Sequence, residues 1–231
     1  MKSKVILAAV CAACACSAMA EKVKSAAELV ECPVSENLRG HEDIEWSVGY
    51  GFGFVAHPEL PRVLLVGDSI CKGYQEGVRE RLKGVANVSY WTSSYCVTSP
   101  GYLKLLAFYL DEAQYDVIHF NNGLHSLGTP VADWEKGLEA ALRLIRLKQP
   151  KAKIVWAAST PLKDPAKTAK AKELNAAAQR VLARLGWGVA TDDLFTPMNA
   201  LDREANWCDV FHFRDEARAR QADLVAAACR R

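Results

Sequence analysis

From Arg62 onward, short apolar runs alternate with longer segments of helical spacing, and this alternation is the tightest constraint on what the chain can fold into. The apolar runs are RVLLVG, NVSYWTSS, YDVIHF, AKIVWAAS and WGVATDDL. They are nearly continuous rather than strictly alternating, the pattern of strands covered on both faces. Between them lie GYQEGVRERLKG, which ends at Gly84, and GYLKLLAFYLDEAQ. PVADWEKGLEAALRLIRLKQ opens on a proline suited to a first helical turn and stops before Pro150. PAKTAKAKELNAAAQRVLARLG is closed by Gly186, and RDEARARQADLVAAACRR follows the last run. The alternation predicts an α/β fold, a parallel sheet sandwiched between two helical layers. Ligands of such sheets bind beyond the carboxyl ends of the strands. The loops of interest therefore follow Val66, Ser94, Phe120, Ser159 and Leu194.

The residues before this pattern divide in two. Lys2 and Lys4 precede an apolar stretch that ends in Ala18-Met19-Ala20, so residues 1–20 are expected to be a secretory signal cleaved after Ala20. The stretch is too short to span a bilayer, and a lipoprotein signal fits it less well because no leucine-small-small run stands directly before Cys11, Cys14 or Cys16. Residues 21–60 carry VGYGFGF, glycine alternating with aromatics, and are expected to form an N-terminal extension of a domain at 61–231. Without Lys2 and Lys4 the basic residues number the same as the 27 acidic ones. That balance points away from nucleic acid or an anionic membrane surface as partner, and no stable membrane insertion is expected. The oligomeric state is not readable from the sequence. Of eight cysteines, Cys32, Cys71, Cys96, Cys208 and Cys229 lie beyond the leader, an odd set for disulfide pairing. No CxxC or Cys/His cluster has zinc spacing, so no metal is expected.

The run RVLLVG stops at Gly67-Asp68-Ser69, where the next helix begins. A serine there either caps the helix or presents a nucleophile at its positive end. A nucleophile needs a base within hydrogen-bond reach and a group to orient that base. NWCDVFHFRDEA, between the last run and the last helix, supplies Asp209 and His212, three residues apart. That spacing lets the carboxylate hold one imidazole nitrogen across a single turn.

VGDSI, GLHS and DVFH, in this order and at these strand ends, resemble the blocks of the SGNH (GDSL-type) hydrolases over residues 62 to 228. The resemblance implies a flavodoxin-like, five-stranded sheet in a three-layer α/β/α sandwich, and activity without a cofactor. It implies Ser69 as nucleophile, His212 as general base and acid, and Asp209 as its orienter. For the oxyanion it implies the Ser69 N–H, a glycine of the second block and an asparagine of the third. Gly101 in CVTSPGY is the second-block candidate, with Ser99 as alternative. In the third block His125 stands where asparagine is expected and Ser126 replaces an aspartate, so His125 or an upstream amide, Asn122 or Asn121, is left to fill the role.

The expected function is that of an exported serine esterase acting on small-molecule or glycan esters, with O-acetyl groups on carbohydrates favoured. A lysophospholipase or acyl-thioesterase on the same residues, or a catalytically silent glycan-binding relative, are the alternatives. Adjacency to the candidate site raises a disulfide among Cys71, Cys96 and Cys208, against small buried thiols. Trp46, Trp91 and Trp207 are candidates for a sugar platform, against core packing. His41 and His57 have no evident partner.

Overall fold

The structure is a computed structural model that describes residues 25–30, 42–99 and 101–230. The expected leader at 1–20, with Cys32 and His41, lies outside the described residues. In chain order the elements are α1 (Ala26–Val30), β1 (Ser47–Tyr50), β2 (Arg62–Gly67), α2 (Ser69–Arg81), β3 (Asn87–Ser93), α3 (Tyr102–Asp111) and β4 (Val117–Phe120). A 3-10 turn, Leu124–Ser126, leads into α4 (Val131–Lys148), β5 (Lys153–Ala157), α5 (Pro165–Leu185) and β6 (Ala190–Asp192). Two short helices, α6 (Phe195–Asn199) and α7 (Arg203–Asn206), precede α8 (Asp215–Cys229).

The sheet runs β1-β3-β2-β4-β5-β6, with every pairing parallel except β1 on β3. The five expected strands are all present, and a sixth joins them from the N-terminal extension. Ser47 pairs with Ser93 and Tyr50 with Tyr90, so SVGY is an edge strand. Gly49 is what permits this: a Cβ there would overlap the Tyr109 ring. No alternation of apolar and polar residues marks such a strand, because Val48 packs on the α2/α8 core, Gly49 faces the Tyr109 ring on the opposite side, and Ser47 and Tyr50 at its ends are exposed.

The continuous apolar character of β2 comes from burial on both faces. Leu64 and Val66 enter a core with α3, α4 and α5, whereas Val63 and Leu65 enter one with α2 and α8. The helical layers are capped where the sequence supplies the residue: Asp164 accepts from Ala166 N at the start of α5, and Gly186 ends it at φ 65°. One polar pair is sunk in the α2/α8 core. His119 of β4 is fully buried, and its Nε2 lies 2.9 Å from Asp192 Oδ2 at the end of β6.

Removing the carboxylate strands the imidazole N–H inside the core. Asp192→Ala is therefore expected to lower the free energy of unfolding by about 2 kcal/mol in urea titrations, with a smaller loss for Asp192→Asn, which keeps an acceptor.

Candidate active site

β2 ends where its chain must almost touch the helix that follows. A Cβ on Gly67 would lie 2.6 Å from Cys71 Cβ, so only glycine lets the first turn of α2 fold back so closely on the strand end. Asp68 then caps α2: Oδ1 accepts from Ile70 N at 2.9 Å and Oδ2 from Leu124 N at 3.3 Å. The cap is thus the aspartate. Ser69, the first helical residue, keeps its hydroxyl for another partner.

That partner is His212. Its Nε2 lies 2.8 Å from Ser69 Oγ, and its Nδ1 lies 2.8 Å from Asp209 Oδ2. A carboxylate only accepts, so Nδ1 carries the proton, and the neutral ring presents a lone pair at Nε2 to the Ser69 hydroxyl. The other Asp209 oxygen accepts from the backbone N–H groups of Phe211 and His212, each at 2.7 Å, which locks the turn between the two residues. The base of that turn is closed by Cys208 N donating to His212 O at 2.9 Å and Arg214 N donating to Asn206 O at 2.8 Å. Lys163 N donates to Val210 O at the tip, tying the turn to the loop after β5.

Desolvation by itself would raise the Asp209 carboxyl pKa. Hydrogen bonds from the His212 N–H, the imidazole and the Phe211 N–H outweigh it and hold the carboxyl below the usual aspartate range. A group with a depressed folded pKa stabilises the fold above its unfolded value, and that contribution is lost as pH falls through the folded value.

The three oxyanion candidates besides Ser69 are placed differently. Gly101 sits at the start of α3 in the left-handed region, φ 86°, with open space where a Cβ would be. Asn122 is buried and committed to the scaffold: its Nδ2 donates to Tyr95 O at 2.9 Å, while Oδ1 accepts from Val97 N and Ser126 Oγ. The amide of Asn121 is likewise turned to Ala157 O and Ser159 Oγ. His125 Nδ1 lies 2.7 Å from Glu42 Oε1. By the same rule as for His212, Nδ1 is the donor, so a neutral His125 has a lone pair at Nε2 and no hydrogen to offer an oxyanion.

Other expectations from the sequence are corrected. Cys71, Cys96 and Cys208 are free thiols. Cys71 and Cys96 are buried in the cores on opposite sides of the sheet, and Cys208 is exposed on the Asp209 loop. Burial drives the Cys71 thiol pKa far upward and keeps it protonated despite its place two residues from Ser69. Trp91 and Trp207 are fully buried and belong to the cores, so they offer no platform; Trp46 alone of the three is partly exposed, edge-on to His125 with Lys72 over its ring. His57 lies 3.6 Å from Glu59 in an exposed pair. Among the described residues no three His, Cys, Asp or Glu side chains gather as a metal site, and no helix is long and apolar enough to cross a membrane.

Two recesses meet at the start of α2 and share Ile70. One, of about 20 Å³ and so large enough for about one water, is walled by Ser69, Gly73, His212, Arg218 and Gln221. The other, also of about 20 Å³, lies against Asp68, Asn121, Gly123, Ser159 and Thr160. Sequence reasoning missed Asp68 as the cap, Glu42 as the partner of His125, and Gln221. The preference of aspartate for helix N-caps was the signal for the first; nothing in the local pattern marks the other two.

In an NMR titration the Asp209 carboxyl is expected to show a midpoint below the ordinary value of about 3.9. In His212→Ala the midpoint should move up, because the imidazole contact is gone.

No family model matches the sequence, and no curated protein matches it. Solved structures do match in fold. A carbohydrate esterase of family 3 from Talaromyces cellulolyticus superposes with a TM-score of 0.60 at 13% identity, over 73% of this chain and 96% of that one. A lipolytic protein of the G-D-S-L family from Veillonella parvula gives 0.56 at 16% identity, over 72% and 96%. A lipase/acylhydrolase from Enterococcus faecalis gives 0.56 at 18% identity, over 73% and 95%. The order of the strands, the place of the helices and these superpositions agree on one architecture: the chain has the fold of the SGNH (GDSL-type) hydrolases.

Proposed function

We propose that the chain is a serine esterase that hydrolyses carboxylic esters, with O-acyl groups on carbohydrates as its substrates, and that it is exported by the leader at 1–20. The observation that carries the reading is the hydrogen-bonded series from Ser69 Oγ through His212 to Asp209, made by a serine already relieved of capping. In this reading Ser69 Oγ attacks the acyl carbon while His212 Nε2 takes its proton, and Asp209 holds the imidazolium that forms. His212 then protonates the departing alcohol, and water repeats the cycle on the acyl-enzyme. The Ser69 N–H at the positive end of α2 and the Gly101 N–H are assigned to the oxyanion. His125 joins them only as imidazolium, and Asn122 acts by bracing the loop.

Carbohydrate is favoured as the substrate by Trp46, a partly exposed indole; the likeness in fold extends alike to the Talaromyces carbohydrate esterase and the Enterococcus lipase/acylhydrolase and supports the acyl-ester class. A silent binding protein gains nothing from an imidazole whose tautomer is set to accept a serine proton. No observation favours the lysophospholipase or thioesterase reading over the esterase.

The test is to assay wild type and Ser69→Ala on 4-nitrophenyl acetate and on acetylated xylan. Activity on both should vanish with Ser69→Ala, and retention of either would overturn the assignment. Asp209→Asn is expected to keep the fold and lower kcat by about 10²- to 10⁴-fold, because the amide no longer enforces the tautomer.

A further inference from the structure

We infer that Gln221 is a positioning residue that holds the water of the second half-reaction. The inference rests on the esterase reading above. Gln221 lies on α8 at 1% exposure, and neither its Oε1 nor its Nε2 has a hydrogen-bond partner among the described residues. Its neighbours on the same buried face, Ala217, Ala222 and Val225, are apolar, so packing alone does not call for an amide here. The side chain lines the small recess whose other walls include Ser69 and His212. A buried amide facing a recess next to two polar groups is satisfied by an ordered water, which needs two to four such partners.

Ser69 and His212 are also the two groups that water must reach once the first alcohol has left. The acyl carbon is then bonded to Ser69 Oγ, and His212 Nε2 is again unprotonated. A water in the recess donates one hydrogen to Gln221 Oε1 and the other to His212 Nε2, which turns an oxygen lone pair toward the acyl carbon. As its oxygen bonds to that carbon, its proton passes to Nε2. The carbon–Oγ bond then breaks, the same proton returns from Nε2 to Oγ, and the free acid leaves. Gln221 makes and breaks no covalent bond; it orients the attacking molecule.

An alcohol that comes from the open side as a competing nucleophile does not need this amide. The experiment therefore measures acyl transfer against hydrolysis. Wild type, Gln221→Met and Gln221→Glu are given 4-nitrophenyl acetate with increasing methanol, and acetate and methyl acetate are quantified together with the nitrophenol burst. Gln221→Met fills the space with an apolar chain of similar length. It is expected to acylate at the wild-type rate, to deacylate about tenfold or more slowly, and to shift product toward methyl acetate. Gln221→Glu keeps an acceptor and should restore the wild-type partition. The product ratio does not depend on the fraction of folded molecules and remains informative whichever step limits turnover. An equal fall in acylation and deacylation with an unchanged product ratio would overturn the inference, as would no effect on either step. Failure of the esterase reading looks different: Ser69→Ala would then match wild type before Gln221 is changed.

Discussion

The hydrogen bonds that Asp68 accepts are the constraint on which the site depends. A helix that starts directly at a strand end leaves backbone N–H groups without partners, and some side chain must satisfy them. Had Ser69 done so, its hydroxyl would point at its own backbone. Asp68 Oδ1 takes Ile70 N instead, and Oδ2 reaches across to Leu124 N on the next strand's loop. One carboxylate thus closes α2 and ties it to the turn that carries His125. The Ser69 hydroxyl is left at the surface of the helix end, 2.8 Å from the imidazole.

A second tier of buried polar contacts keeps the surrounding loops in place. Asn122 spans from the loop after β3 to its own turn through Tyr95 O, Val97 N and Ser126 Oγ. Asn121 and Asn175 both hold the loop after β5 through Ala157 O, Ser159 and its backbone. Irregular segments beyond a parallel sheet have no ladder to pair with, so their backbone groups are met by amide side chains. This explains Asn121 and Asn122 beyond the end of β4 better than a direct role for each in chemistry.

Much of this was legible in the sequence, for reasons that differ by residue. β2, β4 and β5 were visible because burial on two faces leaves an uninterrupted apolar run, and α4 and α5 because prolines and Gly186 punctuate them. Ser69, Asp209 and His212 could be brought together because strand ends on one edge of a parallel sheet share a rim. β1 was not visible, since its pairing depends on the gap left at Gly49 and on Tyr109 more than fifty positions away. The burial of Trp91 and Trp207 was equally hidden: a tryptophan near a motif reads the same whether its ring faces a cleft or a core. Gln221 sits on the helical period of the buried face of α8, between Ala217 and Val225, where spacing alone does not tell an amide from its apolar neighbours. Its meaning comes entirely from what α2 places opposite it.

The approach of α8 to α2 is what turns a distant histidine into a partner for Ser69. The two helices close on small residues: Gly77 lies where a Cβ would come within 2.9 Å of Ala222, and Gly73 leaves its surface to the side chain of Arg218. Arg81 anchors the far end by donating to Asp223 Oδ1 and to Ala219 O. The His212 turn leads directly into α8, with Trp207 bridged to Phe213 below it. The position of the imidazole is therefore set by helix packing first and by its own hydrogen bonds second. Bulk added at Gly77 would push α8 outward and lengthen the contact between Nε2 and Oγ although it touches neither residue. The same close packing surrounds Gln221 with apolar neighbours, so an amide at that position is oriented by the recess it faces rather than by solvent. In this fold the geometry of the candidate site and the packing of its two flanking helices are one structural problem.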